Sequence, residues 1–204
     1  MCSSDLTDRI AFILRDAGAR HLLVLPGAEV PPGLPDSLVL LHPETLTGDA
    51  VRPGLAVPAD ALAYIIYTSG TTGTPKGTLV RHDGLVNTVL ATLEAAGRQD
   101  DDRVALVATP TFDASLWELG LGLLHGLPLV PMPRAERENP WELKARYREL
   151  GVTIAFHAPS YLRVSQDTPF EGLRVLLTGG EAPSHEDVVR HGDRKSTRLN
   201  SSHT

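Results

Sequence analysis

Short apolar runs alternate along this 204-residue chain with segments of helical period. That alternation restricts the fold to an α/β sheet flanked by helices on both faces. The apolar runs read as strands at 21–25, 38–41, 62–67, 104–108, 127–130, 152–156 and 175–178, with a returning strand at 77–81. Helices are predicted over Thr7–Ala17, Asp83–Ala96, Ser115–Leu124 and Pro140–Leu150, with a short one from Ser160. In the first, Ile10, Ile13 and Leu14 share a face and Gly18 is the stop; Gly97 and Gly151 stop the second and the fourth. Pro26, Pro31, Pro32 and Pro35 hold the chain in loop between the first two strands, and a Pro/Gly/Ala-rich loop covers 48–58. No internal repeat is visible.

Both ends are set apart from this pattern. Residues 193–203 read as one translated frame of a common DNA-sequencing adapter, and 2–6 as the matching adapter end. Both therefore read as non-native ends, 1–6 and 193–204, leaving residues 7–192 as a partial domain and a gene fragment. Cys2 is the sole cysteine and falls in one of these ends, so disulfides and cysteine metal sites are not expected. Removing Asp5, Asp193, Arg194, Lys195 and Arg198 from the net charge of −6 leaves −7. An acidic chain without basic blocks argues against nucleic acid or anionic membrane as partners. No apolar run approaches the roughly 20 residues of a membrane span, no secretory signal precedes the first helix, and a cytoplasmic location is expected. An apolar content of 42% permits a packed core.

The strongest chemical signal is Tyr67-Thr-Ser-Gly-Thr-Thr-Gly-Thr-Pro-Lys-Gly77, directly after the apolar strand 62–67. It gathers three glycines, four threonines, a serine and a lysine. Glycines let backbone N–H groups approach an anion, and successive N–H groups in such turns form an anion-binding concavity. Hydroxyls add donors, and Lys76 adds a point charge suited to phosphate. The Walker pattern fails, because counting from Gly70 puts Pro75 at its second glycine and Gly77 after the lysine.

This run, with Leu62-Ala-Tyr-Ile-Ile before it and Val80-Arg-His82 and Leu85-Val-Asn87 after it, resembles the phosphate loop of adenylate-forming enzymes. Within them it looks like the adenylation domains of nonribosomal peptide synthetases. The resemblance implies the large N-terminal domain of that superfamily: a mixed sheet flanked by helices, covering about half of a full adenylation domain. It implies ATP and Mg²⁺ as cofactors, with Thr68, Ser69, Gly70, Thr71, Thr72, Gly73, Thr74 and Lys76 at the phosphates and Thr68 and Lys76 in catalytic roles. Gly179, Gly180 and Glu181 of Thr178-Gly-Gly-Glu would lie at the adenine, although two glycines after a strand also make an ordinary turn.

In Thr109-Pro-Thr-Phe-Asp113-Ala-Ser-Leu-Trp117 the aspartate stands where a strand gives way to a helix. On its own it reads first as a helix N-cap. The family's Phe-Asp-x-Ser at this place implies instead that Asp113 binds the α-ammonium of an amino-acid substrate. The family's pocket positions fall on Ala114, Trp117, Phe156, Leu177 and Gly179, all apolar and similar to leucine-selecting domains. One methylene discriminates by only about 1–3 kcal/mol, so other aliphatic residues remain near misses.

No histidine spacing suggests a transition metal, and none is expected. The implied activity is ATP-dependent formation of leucyl-AMP, followed by loading onto the phosphopantetheine thiol of a carrier domain. Carrier and condensation domains are the implied partners. A free-standing acyl-CoA or amino-acid ligase, and a non-catalytic ATP-binding relative, are the alternatives. The family's Tyr-Gly-Pro-Thr-Glu motif, its ribose-binding aspartate, its hinge and its C-terminal domain with a catalytic lysine are absent from this sequence, so the chain alone is expected to be inactive.

Overall fold

A computed structural model describes residues 3–48, 51, 53–69, 74–165, 170–182, 184–186 and 195–198. The chain divides into two compact units, Met1–Arg81 and His82–Thr204.

The first unit holds α1 (Ser3–Asp16), the short parallel pair β1 (His21–Leu23) and β2 (Val39–Leu41), a 3₁₀ turn at Pro43–Thr45, and an antiparallel hairpin of β3 (Leu62–Ser69) and β4 (Pro75–Arg81). The hairpin is longer than the sequence suggests. β3 runs two residues past Tyr67, and β4 begins two residues before Gly77. Lys76 is thus a strand residue paired across the hairpin with Thr68, and not part of the loop. Pro75 tolerates this because it opens the strand, where a missing N–H costs least. Gly77 stands opposite Tyr67, and a Cβ there would lie 3.0 Å from Ile65 Cγ2 and 3.1 Å from Tyr67 Cζ. The bare backbone gives the Tyr67 ring its place. The Tyr67 hydroxyl then donates to Asp16 Oδ2 at 2.6 Å, tying α1 to the hairpin. That bond to a carboxylate, with burial and the Asp16 charge, raises the phenol to about 12.

The second unit is built on a five-stranded parallel sheet in the order β6 (Leu129–Pro131), β5 (Val104–Leu106), β7 (Ile154–Phe156), β8 (Val175–Thr178), β9 (Lys195–Arg198). Its helices are α2 (His82–Ala96), α3 (Asp113–His125), α4 (Arg134–Glu138), α5 (Pro140–Leu150) and α6 (Pro159–Val164). The two-residue period of a strand sorts the core into two clusters. Val104, Ile154, Val175 and Leu177 pack with Val89 and Leu93 of α2 and Trp117 and Leu121 of α3. Ala105, Ala155 and Leu176 pack with Leu143 and Tyr147 of α5 and Leu162 of α6. Two alanines on that face leave room for rings: Tyr147, Phe170 and His157 lie with centroids 5.2–5.9 Å apart, and Tyr161 stacks on His157 at 4.6 Å.

Strand and helix positions follow the sequence reading closely, with α4 and β9 additional to it. β9 falls in the stretch read as non-native, and needs only backbone hydrogen bonds to extend the sheet edge. α5 spans the expected residues. Asn139 Oδ1 caps it by accepting from the Trp141 and Glu142 N–H groups, Pro140 opens it, and Gly151 closes it in the left-handed conformation at φ 64°.

Helix α3 packs so closely that a Cβ at two of its positions would force a neighbouring side chain to move. A Cβ at Gly120 would lie 2.6 Å from Val89 Cγ2, and one at Gly122 would lie 2.2 Å from Leu129 Cγ. An exposed helical glycine gains about 0.5–1 kcal/mol on becoming alanine, whereas overpacking costs about 1–3 kcal/mol. Overpacking wins at Gly122, and Gly122→Ala should lower the urea midpoint. Gly84 in α2 has nothing within 4 Å of its Cβ position, so Gly84→Ala should raise it. Opposite shifts in one denaturation series check both.

Candidate functional site

Two regions carry the sequence-predicted residues, one in each unit. In the first, Thr68 and Lys76 are exposed neighbours at the turn end of the β3–β4 hairpin, followed by the Ser69–Pro75 pair. Thr74 is exposed just before Pro75. Gly70, Thr71, Thr72 and Gly73 lie outside the described residues, as does the Ser69 side chain. The hairpin therefore presents a hydroxyl and an ammonium side by side at the mouth of the Gly/Thr turn, which suits an anionic ligand.

In the second unit the predicted residues gather at the carboxyl ends of β5, β7 and β8, the edge at which open α/β sheets bind ligands. Phe112 holds the cap position of α3 with extended backbone and no side-chain cap bond, so Asp113 is the first residue of the helix and not its cap. A carboxylate in a first turn is favoured by the N–H groups exposed there. The Ser115 hydroxyl donates to Phe112 O at 2.7 Å, closing that turn.

Trp117 and Leu177 are buried in one cluster, and Phe156 packs against it with its ring 6.3 Å from that of Trp117. Ala114 and Gly179 are also buried. Trp117 is fixed by its indole N–H, which donates to Thr92 Oγ1 at 3.0 Å, and the Thr92 hydroxyl in turn donates to Thr88 O at 2.8 Å. The structure thus brings Trp117, Phe156 and Leu177 together in one buried apolar cluster.

The Gly179–Gly180–Glu181 turn is held from outside. Gly180 has φ 86°, a backbone that side chains rarely adopt, and its Cβ position would lie 3.9 Å from Phe112 Cζ. Glu181 Oε1 accepts from the Ser160 N–H at 2.7 Å, and Oε2 accepts from Arg163 Nη2 at 3.1 Å. These bonds, Ser160 first and then Arg163, hold the exposed carboxyl below its ordinary range. The Glu181 side chain therefore ties the glycine turn to the start of α6.

A cavity of about 220 Å³ opens beside this edge, lined by Val107, Ala108 and Phe112 near β5, Phe156, His157 and Ala158 after β7, and Arg137, Leu143 and Tyr161. Of the predicted pocket residues it includes Phe156. His157 faces the α5 side, its Nε2 3.0 Å from Tyr147 Oη. Burial lifts the Tyr161 phenol to about 12.

Sequence reasoning missed Glu118. It is fully buried in α3, where Oε2 accepts from the Val107 and Ala108 N–H groups, both at 3.1 Å, and Oε1 lies 3.3 Å from the Ala108 nitrogen. Burial raises its carboxyl from 4.5 to about 8 against the opposing pull of those N–H groups and of Arg137. The signal was there: Asp113 and Glu118 are the only acidic residues in a thirteen-residue, otherwise mostly apolar helix. A raised folded-state pKa means that the unfolded chain ionises first, so this group's contribution to stability falls as pH rises from 4.5 to about 8. Glu118→Gln should remove that part of the pH slope. Urea midpoints measured across the window for both proteins check it.

Among the described residues there is no group of three or more His, Cys, Asp or Glu residues able to hold a metal, and no helix is long and apolar enough to cross a membrane.

Comparison with known proteins decides the family. Residues 5–194 match the family described as AMP-binding enzyme. The chain belongs to the AMP-binding enzyme family. It is 37% identical over 180 residues to surfactin synthase subunit 1 of Bacillus subtilis (strain 168), covering 85% of this chain and 5% of that protein. It is 33% identical over 194 residues to tyrocidine synthase 1 of Brevibacillus parabrevis, covering 92% of this chain and 18% of that one. Among solved structures, the nonribosomal peptide synthetase FmoA3 (S1046A) in its AMPPNP-bound form superposes with a TM-score of 0.79 at 25% identity, over 95% of this chain and 22% of that one. The o-succinylbenzoate coenzyme A synthetase of Bacillus subtilis, in complex with ATP and magnesium ion, shares the fold at TM-score 0.79 and 19% identity, over 94% of this chain and 41% of that chain. This AMP-binding chain therefore spans a small part of its curated relatives.

Proposed function

We propose that the protein carrying this chain activates an amino acid, leucine by preference, as its aminoacyl adenylate for nonribosomal peptide synthesis. The observation that carries the reading is Asp113, a carboxylate at the first turn of α3 beside the apolar cluster of Trp117, Phe156 and Leu177. That combination suits an ammonium group attached to an aliphatic side chain, since the cluster offers no hydrogen bond to a polar one. Similarity to the synthetases of surfactin and tyrocidine supports the same class.

In this reading the substrate carboxylate attacks the α-phosphorus of ATP. An acyl–oxygen–phosphorus bond forms, the bond to the β-phosphate bridge breaks, and pyrophosphate leaves with the electron pair. No side-chain nucleophile is required, and catalysis is placement plus charge neutralisation. Thr68, Ser69, Gly70, Thr71, Thr72, Gly73, Thr74 and Lys76 take the β- and γ-phosphates, with Thr68 and Lys76 acting on the leaving pyrophosphate. Gly179 and Gly180 approach the adenine through bare backbone, and Glu181 holds that turn in place. Ala114 and Gly179 complete the side-chain pocket. Magnesium enters with ATP, held mainly by phosphates and water, as is usual for this ion.

The acyl group is then passed to the phosphopantetheine thiol of a carrier domain, and carrier and condensation domains are the partners, in the cytoplasm. The chain is a piece of that protein, with residues 7–192 its natural part.

The test is pyrophosphate exchange into ATP by the full-length protein with a panel of acids. Exchange stimulated by leucine, and more weakly by isoleucine, valine and methionine, supports the proposal. Exchange with fatty or aryl acids alone identifies a free-standing ligase of another acid. ATP binding without exchange identifies a non-catalytic relative.

A further inference from the structure

Strand β5 ends at Leu106, whose carbonyl still accepts from the Met132 N–H. The chain then leaves the sheet, and the backbone groups of the next two residues are met by side chains. The Val107 and Ala108 N–H groups donate to the Glu118 carboxylate of α3. The Val107 carbonyl accepts from Arg137 Nη1 of α4 at 2.8 Å. Between Ala108 and Asp113 lies a single tight turn, in which the Phe112 N–H donates to Thr109 O at 2.9 Å and the two threonine hydroxyls at 109 and 111 lie 3.2 Å apart. Glu118 therefore closes a ring of chain that contains Asp113. Its carboxylate grips the start of the ring, and its own helix forms the end.

An apolar side chain would fill the same volume at lower desolvation cost. A carboxyl is needed where two adjacent N–H groups must be satisfied from one point. Both N–H groups belong to the segment that fixes where α3 begins. One turn along, Trp117 is pinned from the opposite side by Thr92.

We propose that Glu118 is a positioning residue for substrate recognition: by holding the Val107–Ala108 backbone it sets the place of Asp113 and Trp117 at the carboxyl end of β5. This rests on the reading above that Asp113 binds the substrate ammonium. Glu118 touches no substrate in this scheme. Its effect passes through the turn and the helix.

The experiment is amino-acid-dependent pyrophosphate exchange in the full-length protein, with KM for leucine, KM for ATP and kcat measured for wild type, Glu118→Ala, Glu118→Gln and Glu118→Asp. Glu118→Ala leaves two part-buried donors without their side-chain partner and should raise KM for leucine by on the order of tenfold or more, with KM for ATP within about twofold. Glu118→Gln keeps a carbonyl oxygen for both N–H groups and should restore KM for leucine to within about threefold of wild type. If Glu118→Ala fails to fold, Glu118→Asp decides, because it keeps the carboxyl group and shortens the reach by one methylene. A selective rise in leucine KM supports positioning. A KM for leucine equal to wild type, or a parallel change in both KM values, overturns it. A wild-type protein with no exchange for any amino acid overturns the functional reading instead, and does so before any variant is compared.

Discussion

Replacing Asp113 by alanine is expected to weaken amino-acid activation severely while leaving ATP binding in place. In the proposed complex the α-ammonium has lost its water and has one carboxylate to replace it. Truncating one member of a buried, hydrogen-bonded charge pair costs about 2–5 kcal/mol, much of it from leaving the other charge unpaired. Expressed as kcat/KM for leucine, that is a loss of roughly 30- to 5000-fold. Asp113→Asn keeps the shape but not the charge and should fall between the two. Helix α3 should survive both changes, because Phe112 and not Asp113 occupies its cap position. Exchange kinetics with leucine, paired with ATP binding by calorimetry, separate loss of ammonium recognition from loss of fold. Equal kcat/KM for wild type and Asp113→Ala would remove the aspartate from the site.

The second large effect concerns stability. Asp102 is fully buried where the chain enters β5. Its Oδ1 accepts from the Thr153 hydroxyl at 2.8 Å and from Arg174 Nε at 3.0 Å, and its Oδ2 accepts from the Gln99 N–H at 2.7 Å and from Arg174 Nη2. Arg174 Nη1 also donates to the carbonyl of Ala96, the last residue of α2. One carboxylate thus joins the entries of β5, β7 and β8 to the end of α2. Asp102→Ala leaves the Arg174 guanidinium, largely shielded from water, without its counter-charge, and should destabilise the chain by about 3–5 kcal/mol. Glu171 bonds Arg148 at 3.0 Å with both side chains more than 60% exposed, and Glu171→Ala should cost under about 1 kcal/mol. Urea denaturation of the two variants compares them directly.

The effect of acid on that advantage has a definite sign. Burial alone would raise the Asp102 carboxyl, but Arg174, the Gln99 N–H and the Thr153 hydroxyl outweigh it and hold the group below 3.8. A depressed folded-state pKa gives stability that is present above the unfolded value and lost as pH falls through the folded one. The gap between wild type and Asp102→Ala should therefore close in strong acid and stay constant from pH 5 upwards, on the order of one unit above the ordinary carboxylate value.

What the sequence revealed, and what it hid, follows from the range of the interactions. Helix α5 was legible because its signals are local: Pro140 at the start, amphipathic spacing within, Gly151 at the end. The strands of the parallel sheet were legible as apolar runs, since both faces are buried and β8 is buried throughout. Their order was not, because a parallel neighbour is chosen by crossovers and packing and not by residues next to it in sequence. The Asp102–Arg174 pair spans 72 positions and leaves no periodic trace.

The extra length of the β3–β4 hairpin was hidden for a different reason. Thr68, Ser69 and Pro75 are as common in turns as at strand ends, and cross-strand pairing decided between the two. Glu118 was overlooked because the apolar pattern of α3 reads complete without it. Helix α4, five residues long and mostly charged, gave no pattern at all. At the candidate site the residue types were legible and their arrangement was not. Nothing local foretold that Glu181 would hold the glycine turn against α6 rather than stand free at a ligand.

The decisive measurement is a crystal structure of the full-length protein with a non-hydrolysable leucyl-adenylate analogue. The leucine ammonium should lie within about 3 Å of an Asp113 carboxylate oxygen, and its side chain against Trp117, Phe156 and Leu177. An ammonium held elsewhere, with Asp113 turned away from the ligand, would contradict that placement.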